Sequence, residues 1–197
     1  AFAAPIEASL RDADVKLHTV RPSGVATGCA FICVDDQAEN AITVAPGANA
    51  CLTASHLPPL AGYSHLLMQL EIPLEAVTAY ALAARAAGVH VVLNAAPAQQ
   101  LPPELLAAVD VLVVNEGELR TLAGLQGSTP GSVADCMARL PCSVVVVTLG
   151  ARGCVLRHAR HRSLSGALCV LFLHGALAAT RLLCHFVLPA TGNGRAG

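Results

Sequence analysis

Four short apolar runs, at residues 65–70, 89–93, 111–114 and 143–148, recur between segments of helical pattern. They stop at the polar residues Glu71, Asn94, Asn115 and Thr148. No other feature constrains the fold as tightly. Apolar strands that alternate with helices predict an α/β domain, a parallel sheet with flanking helices. The strands are apolar throughout, as expected where helices cover both faces. The intervening helices are predicted at 74–87, with Pro73 at the first position and Gly88 as the stop, and at 102–108, 116–123 and 132–140. In such sheets ligands bind outside the carboxyl ends of the strands. The candidate rim is therefore Glu71, Asn94, Asn115 with Glu118, and the segment from Thr148 to Gly153.

Upstream, residues 6–13 read as the end of an amphipathic helix. Residues 27–34 and 39–45 are rich in β formers around a polar turn at 35–38, which predicts a β-hairpin ended by Pro46-Gly47-Ala48-Asn49. After Gly153 the pattern lapses into a basic run at 157–162 and an apolar stretch without clear period. Residues 163–180 lack Asp, Glu, Lys and Arg, close to the ~20 residues that a membrane span needs. Ser163, Ser165, Gly166, His174 and Gly175 interrupt the stretch, and Arg181 ends it. It reads as a core or loosely packed segment rather than a span. The first residues, Ala1-Phe2-Ala3-Ala4, have neither the basic nor the apolar part of a signal peptide.

Composition narrows the function classes. At ~150 residues per domain, 197 residues fit one domain. A formal net charge of -1 argues against a nucleic-acid binder, and 3% aromatics argue against base-stacking platforms. The one lysine is Lys16, in Asp14-Val15-Lys16-Leu17. A Walker A loop, which requires Gly-Lys-Ser/Thr, is therefore excluded. The eight cysteines (29, 33, 51, 136, 142, 154, 169 and 184) show no Cys-x-x-Cys and read as buried thiols in a reducing compartment.

Each candidate motif has a plain structural alternative. Thr148, Leu149, Gly150, Ala151, Arg152 and Gly153 follow a buried strand. The two glycines make either an ordinary strand-end turn or a place where amides approach an anion or a flat base. Asn115-Glu116-Gly117-Glu118 opens a helix; either it serves only as a cap, or Glu118 touches magnesium-bound water and Asn115 a phosphate. Glu71 can accept hydrogen bonds from a sugar hydroxyl, or serve as a cap or salt-bridge partner. Residues 192–197 spell Gly-x-Gly-x-x-Gly, but no helix N-terminus follows to face a pyrophosphate. His158-x-x-His161 lies in a basic run that repels a cation.

Taken together, six segments in register resemble the ribokinase-like (PfkB) carbohydrate kinase family. They are Thr27-Gly28-Cys29-Ala30-Phe31-Ile32-Cys33-Val34 with Glu39-Asn40; Gly47-Ala48-Asn49; Leu67-Met68-Gln69-Leu70-Glu71; Leu93-Asn94-Ala95-Ala96-Pro97-Ala98; Asn115-Glu116-Gly117-Glu118; and Thr148-Leu149-Gly150-Ala151-Arg152-Gly153. The resemblance runs over residues 2–153. It implies a ribokinase-like α/β domain with a partial β lid, the hairpin 27–45, over the sugar. It implies ATP-dependent phosphorylation of D-ribose to ribose 5-phosphate with Mg²⁺ and a monovalent cation, K⁺. Glu71 then contacts the sugar, Glu118 holds Mg²⁺ through water, and Asn115 with Thr148, Leu149, Gly150, Ala151, Arg152 and Gly153 binds the nucleotide. A cytoplasmic location and a homodimer through the lid follow from the same resemblance, as do sugar and ATP as the partners and no nucleic acid.

Two family features are missing. The Gly-Gly sugar motif precedes the region matched here, and no Gly-Ala-Gly-Asp follows the Thr-Leu-Gly turn, so no residue is assigned as the catalytic base. Thr191-Gly192-Asn193-Gly194 echoes that motif without its aspartate. Residues 154–197 are therefore expected to be a divergent tail that packs poorly. The alternatives to a working kinase are a non-catalytic ribokinase-like fragment, a truncated or frameshifted product, and a membrane-associated product that uses residues 163–180.

Overall fold

A computed structural model describes residues 2–35, 40–125, 131–158, 161–165 and 186–189, with Asn40 and the last two segments described by backbone alone. The chain separates into two compact units. One comprises residues 1–58 with 71–76, the other 59–70 with 77–197.

In the first unit, α1 (Ala3–Asp12) precedes a hairpin of β1 (Thr27–Val34) and β2 (Asn40–Gly47). The strands pair antiparallel from Thr27↔Gly47 to Val34↔Asn40. Most of the expected turn lies outside the described residues. At the open end the strands cross too closely for side chains. A Cβ on Gly28 would lie 2.4 Å from the Pro46 carbonyl oxygen, and Gly47 adopts φ +53. The buried carboxylate of Glu7 receives Arg11 at 3.0 Å and Arg21 at 2.5 Å.

The second unit is built on a seven-stranded sheet ordered β8-β7-β6-β5-β4-β3-β9. Its strands are β3 (Tyr63–Met68), β4 (His90–Asn94), β5 (Val111–Asn115), β6 (Val144–Thr148), β7 (Cys154–His158), β8 (His161–Ser165) and β9 (Phe186–Pro189). Neighbours among β3 to β6 pair parallel, as the βα rhythm requires. The helices are α2 (Leu74–Ala86), α3 (Pro103–Ala108), α4 (Glu116–Leu122) and α5 (Val133–Ala138), each within two residues of its expected bounds. Helix α2 begins in the first unit and continues into the second. It has Glu75 in its first turn and Arg85 in its last, which suits the helix dipole. It stops at Gly88, whose φ is +73, and the Val89 N–H donates to the Ala84 carbonyl at 2.9 Å.

Burial departs from the sequence expectation in one respect. The parallel strands are apolar throughout, but only one face is fully buried. Leu66, Val91, Leu93, Leu112, Val145 and Val147 have no exposed surface, while the residues between them, Val146 aside, are half-buried. Register lines the buried set up across the sheet through Leu66↔Val91, Leu93↔Leu112 and Leu112↔Val145. Period-2 side-chain alternation decides which valines meet the core, and a run of identical residue types cannot reveal it.

Among the described residues after Gly153, three strands join the sheet. β7 pairs antiparallel with β6, from Val144↔His158 to Thr148↔Cys154, and β8 pairs with β7. β9 pairs antiparallel with β3 on the far edge. Sequence pattern misses β7 because its apolar part is only Cys154, Val155 and Leu156 before Arg157 and His158. Arg157 is no surface basic patch: its Nη2 donates to the Leu140 and Cys142 carbonyls, both at 3.0 Å. Residues 166–185 and 190–197, with Cys169, Cys184, most of the apolar run and the Gly-x-Gly-x-x-Gly text, lie outside the described residues. Among the described residues no helix is long and apolar enough to cross a membrane, and no three metal-ligating side chains cluster.

Candidate functional site

Parallel pairing sends the carboxyl ends of β4, β5 and β6 to one edge. Asn94, Asn115 and Thr148 are the terminal residues of these strands. Asn115 and Thr148 are direct register partners, and Asn94 pairs with Val113 two residues short of Asn115. Adjacent strands lie ~4.8 Å apart, so the expected rim is assembled for these three residues. The exits of β3 and β4 are tied by a hydrogen bond from the Leu70 N–H to the Ala96 carbonyl at 2.9 Å. Glu71 is half-buried, three residues beyond Met68, and falls in the first compact unit.

Asn115 adopts the extended backbone of an N-cap. Its Oδ1 accepts the Glu118 N–H at 2.8 Å, and Glu118 Oε2 accepts the Asn115 N–H at 2.8 Å. This reciprocal pair is a capping box, which satisfies two helix-end donors at once. Local sequence accounts for it: Asn and Glu three residues apart at the end of an apolar strand. Burial pushes the Glu118 carboxyl above its usual range, and the Asn115 N–H pulls it partly back. The side chain is held in one orientation, and one of its two oxygens is committed to the cap.

From Thr148 the chain leaves β6 and turns on itself. Gly150–Arg152 forms a single 3-10 turn. The Leu149 N–H donates to the Gly153 carbonyl at 2.8 Å, and the Gly153 N–H to the Gly150 carbonyl at 3.1 Å. Gly150 and Gly153 have φ +60 and +89, which side-chain-bearing residues rarely adopt. A Cβ on either would meet nothing within 4 Å. Both glycines are therefore required by conformation, and the space beside them is open to a ligand. Thr148 Oγ1 donates to the Val114 carbonyl at 3.4 Å, holding the start of the turn against β5.

Arg152 and Glu116 form a contact that the sequence does not announce. Arg152 Nη2 lies 2.5 Å from Glu116 Oε2, joining the turn to the first residue of α4. The two are 36 residues apart, and no local spacing rule brings them together.

Mg²⁺ keeps several waters and takes one or two carboxylates. Glu118, with Oε2 in the cap, fits contact through such a water better than direct ligation. No aspartate or glutamate follows Asp135 in the sequence, so the turn and the strands after it contribute no carboxylate.

A family model described as pfkB family carbohydrate kinase matches residues 1–167. Ribokinase of Haemophilus influenzae is 40% identical over 157 residues, covering 76% of this chain and 51% of its own length. The crystal structure of ribokinase from Thermotoga maritima superposes with a TM-score of 0.70 at 28% identity, over 82% of this chain and 54% of that one. The structure of Arabidopsis thaliana ribokinase complexed with ribose and ATP gives 0.62 at 28% identity, over 77% and 52%. The chain spans about half the length of the first two ribokinases that it matches.

Proposed function

The chain belongs to the pfkB family of carbohydrate kinases, and on that premise we propose that it is part of an ATP-dependent D-ribose kinase, the reaction yielding ribose 5-phosphate. The observation that bears most weight is the register pair Asn115↔Thr148. It sets the Asn-x-x-Glu cap and the Thr-Leu-Gly turn side by side at the carboxyl edge of the sheet, where α/β folds bind ligands. In this reading Glu71 accepts hydrogen bonds from the sugar. Asn115 and the backbone of the segment Thr148–Gly153 bind the nucleotide, with the open side of Gly150 and Gly153 admitting a phosphate or the base. Glu118 orients a water of Mg²⁺, and the metal, when bound, screens charge on the phosphates. A monovalent cation, a cytoplasmic location and pairing of two copies through the hairpin 27–45 complete the proposal.

Phosphoryl transfer rests on positioning, electrostatic stabilisation and a carboxylate that takes the hydroxyl proton. A general base contributes ~10²–10⁴ in rate. Residues 136–197 supply no carboxylate, and this favours a second reading in which the chain by itself binds ligands without turnover. One experiment separates the two. Ribose 5-phosphate formation is followed with ATP, Mg²⁺ and K⁺, alongside ADP titration by calorimetry. ADP binding without turnover is the expected result. Turnover near ~1 s⁻¹, as in ordinary kinases, that is lost in Glu118→Ala would show a working enzyme. Absence of both turnover and ADP binding would remove the nucleotide site.

A further inference from the structure

We propose that Arg152 is a positioning residue, which latches the glycine turn to α4 through Glu116 instead of contacting a nucleotide phosphate. This assignment rests on the nucleotide reading above only for its consequence in binding; the latch itself stands on geometry.

Past the register pair Asn115↔Thr148 the β5–β6 ladder ends, and two separate pieces of chain leave the edge. One is the cap at the start of α4. The other is the turn 149–153, closed on itself by the Leu149–Gly153 and Gly153–Gly150 hydrogen bonds. Internal bonds make the turn a small rigid body but do not fix its angle to the helix. It contains Gly150 and Gly153, both with positive φ, the residue type with the widest backbone freedom. The Arg152 guanidinium spans the gap and meets the Glu116 carboxylate at 2.5 Å. The β6–β7 ladder, closed at Thr148↔Cys154, holds the base of the turn, and Thr148 Oγ1 ties that base to the Val114 carbonyl at 3.4 Å. The pair therefore fixes the tip of the turn, where Arg152 stands, against α4.

Charge argues the same way. Glu116 and Glu118 both lie in the first turn of α4. A polyphosphate that approached this edge would meet two carboxylates. Arg152 neutralises the one that the cap does not use. An arginine already committed to a carboxylate is a poor direct phosphate ligand, because binding would first have to break the ion pair.

The side chains are 68% and 31% exposed, so the effect expected is modest. Exposed ion pairs contribute ~0.2–1 kcal/mol, which converts to a ~1.4–5-fold change in local opening. Hydrogen exchange of the 149–153 amides is measured on the full chain for Arg152→Gln, Glu116→Gln, Arg152→Lys and the charge swap Glu116→Arg with Arg152→Glu. Both neutral variants should speed exchange by that factor. Arg152→Lys should recover part of the protection, and the swap most of it. ADP affinity should fall equally in the two neutral variants and return in the swap, which loss of a direct phosphate contact would not do. Unchanged exchange in both neutral variants would overturn the latch. So would an ADP loss confined to Arg152→Gln and not rescued by the swap. If the unaltered chain binds no ADP, the exchange series still decides the latch, and the nucleotide reading falls separately.

Discussion

The parallel strands β3 to β6, rich in valine and leucine, and the hairpin β1–β2, which carries valine, isoleucine and phenylalanine, are both apolar strands, yet they end in opposite environments. Leu66, Val91, Leu112 and Val145 are fully buried, whereas Phe31, Ile32, Val34 and Ile42 are 62, 57, 62 and 58% exposed. Both regions favour strand; only β3 to β6 have a neighbour on each side and a covered face. A two-stranded ribbon has no interior of its own and is marginal in water. Apolar residues therefore decide that a segment is a strand, and the number of layers around it decides whether that strand adds stability.

The largest test of this contrast is a pair of truncations. Leu112→Ala should cost ~2–5 kcal/mol, the transfer term plus the cavity left behind. Phe31→Ala should change stability by no more than ~0.5 kcal/mol, as exposed positions do. Urea denaturation of both variants measures the difference, and equal losses would break the comparison.

Thiol chemistry sharpens it. Cys33 of the hairpin is exposed, while Cys142, before β6, is buried and its thiol is pushed up to about 11 by burial, against the pull of Arg157. The thiolate is the reactive form. At pH 8 a maleimide should modify Cys33 promptly and leave Cys142 intact until the chain unfolds, as read by peptide mass spectrometry. Prompt labelling of Cys142 would show that this part of the sheet opens as easily as the hairpin.

A third test probes how β7 joins the sheet. Arg157→Ala leaves the Leu140 and Cys142 carbonyls without their donor, and unsatisfied buried groups cost ~1–3 kcal/mol. The Arg157 Nε is itself buried without a partner among the described residues, which offsets part of the loss. A thermal shift indistinguishable from zero would mean that strand pairing alone holds β7.

The smallest effects distinguish two capping boxes of the same design. In α5 the Ser132 hydroxyl and N–H hold the Asp135 carboxyl below its usual range. A depressed folded value stabilises above the unfolded value and is lost as pH falls through the folded one. In α4 the Glu118 carboxyl is raised, chiefly by burial. Its contribution is fully present below the unfolded value and is lost as pH rises through the folded one. Asp135→Asn should therefore destabilise at neutral pH and converge with the parent in acid. Glu118→Gln keeps the capping geometry and should gain relative to the parent as pH rises. Denaturation midpoints across pH 3–7 check both signs, and parallel curves for the two variants would refute the assignment.

The split between what was legible and what was not follows the range of the physics involved. Alternating apolar runs and helical segments determined β3 to β6, α2 to α5 and the rim at Asn94, Asn115 and Thr148, because propensity, capping and turn chemistry act within a few residues. The Asn115–Glu118 box was readable for the same reason. Tertiary structure alone decided which valines of each run are buried, that Cys154–His158 pairs back on β6, that Arg157 turns inward, and that Arg152 meets Glu116. These depend on strand register and on partners tens of residues away, and a linear pattern carries no signal for contacts whose loop closure is settled by the whole sheet.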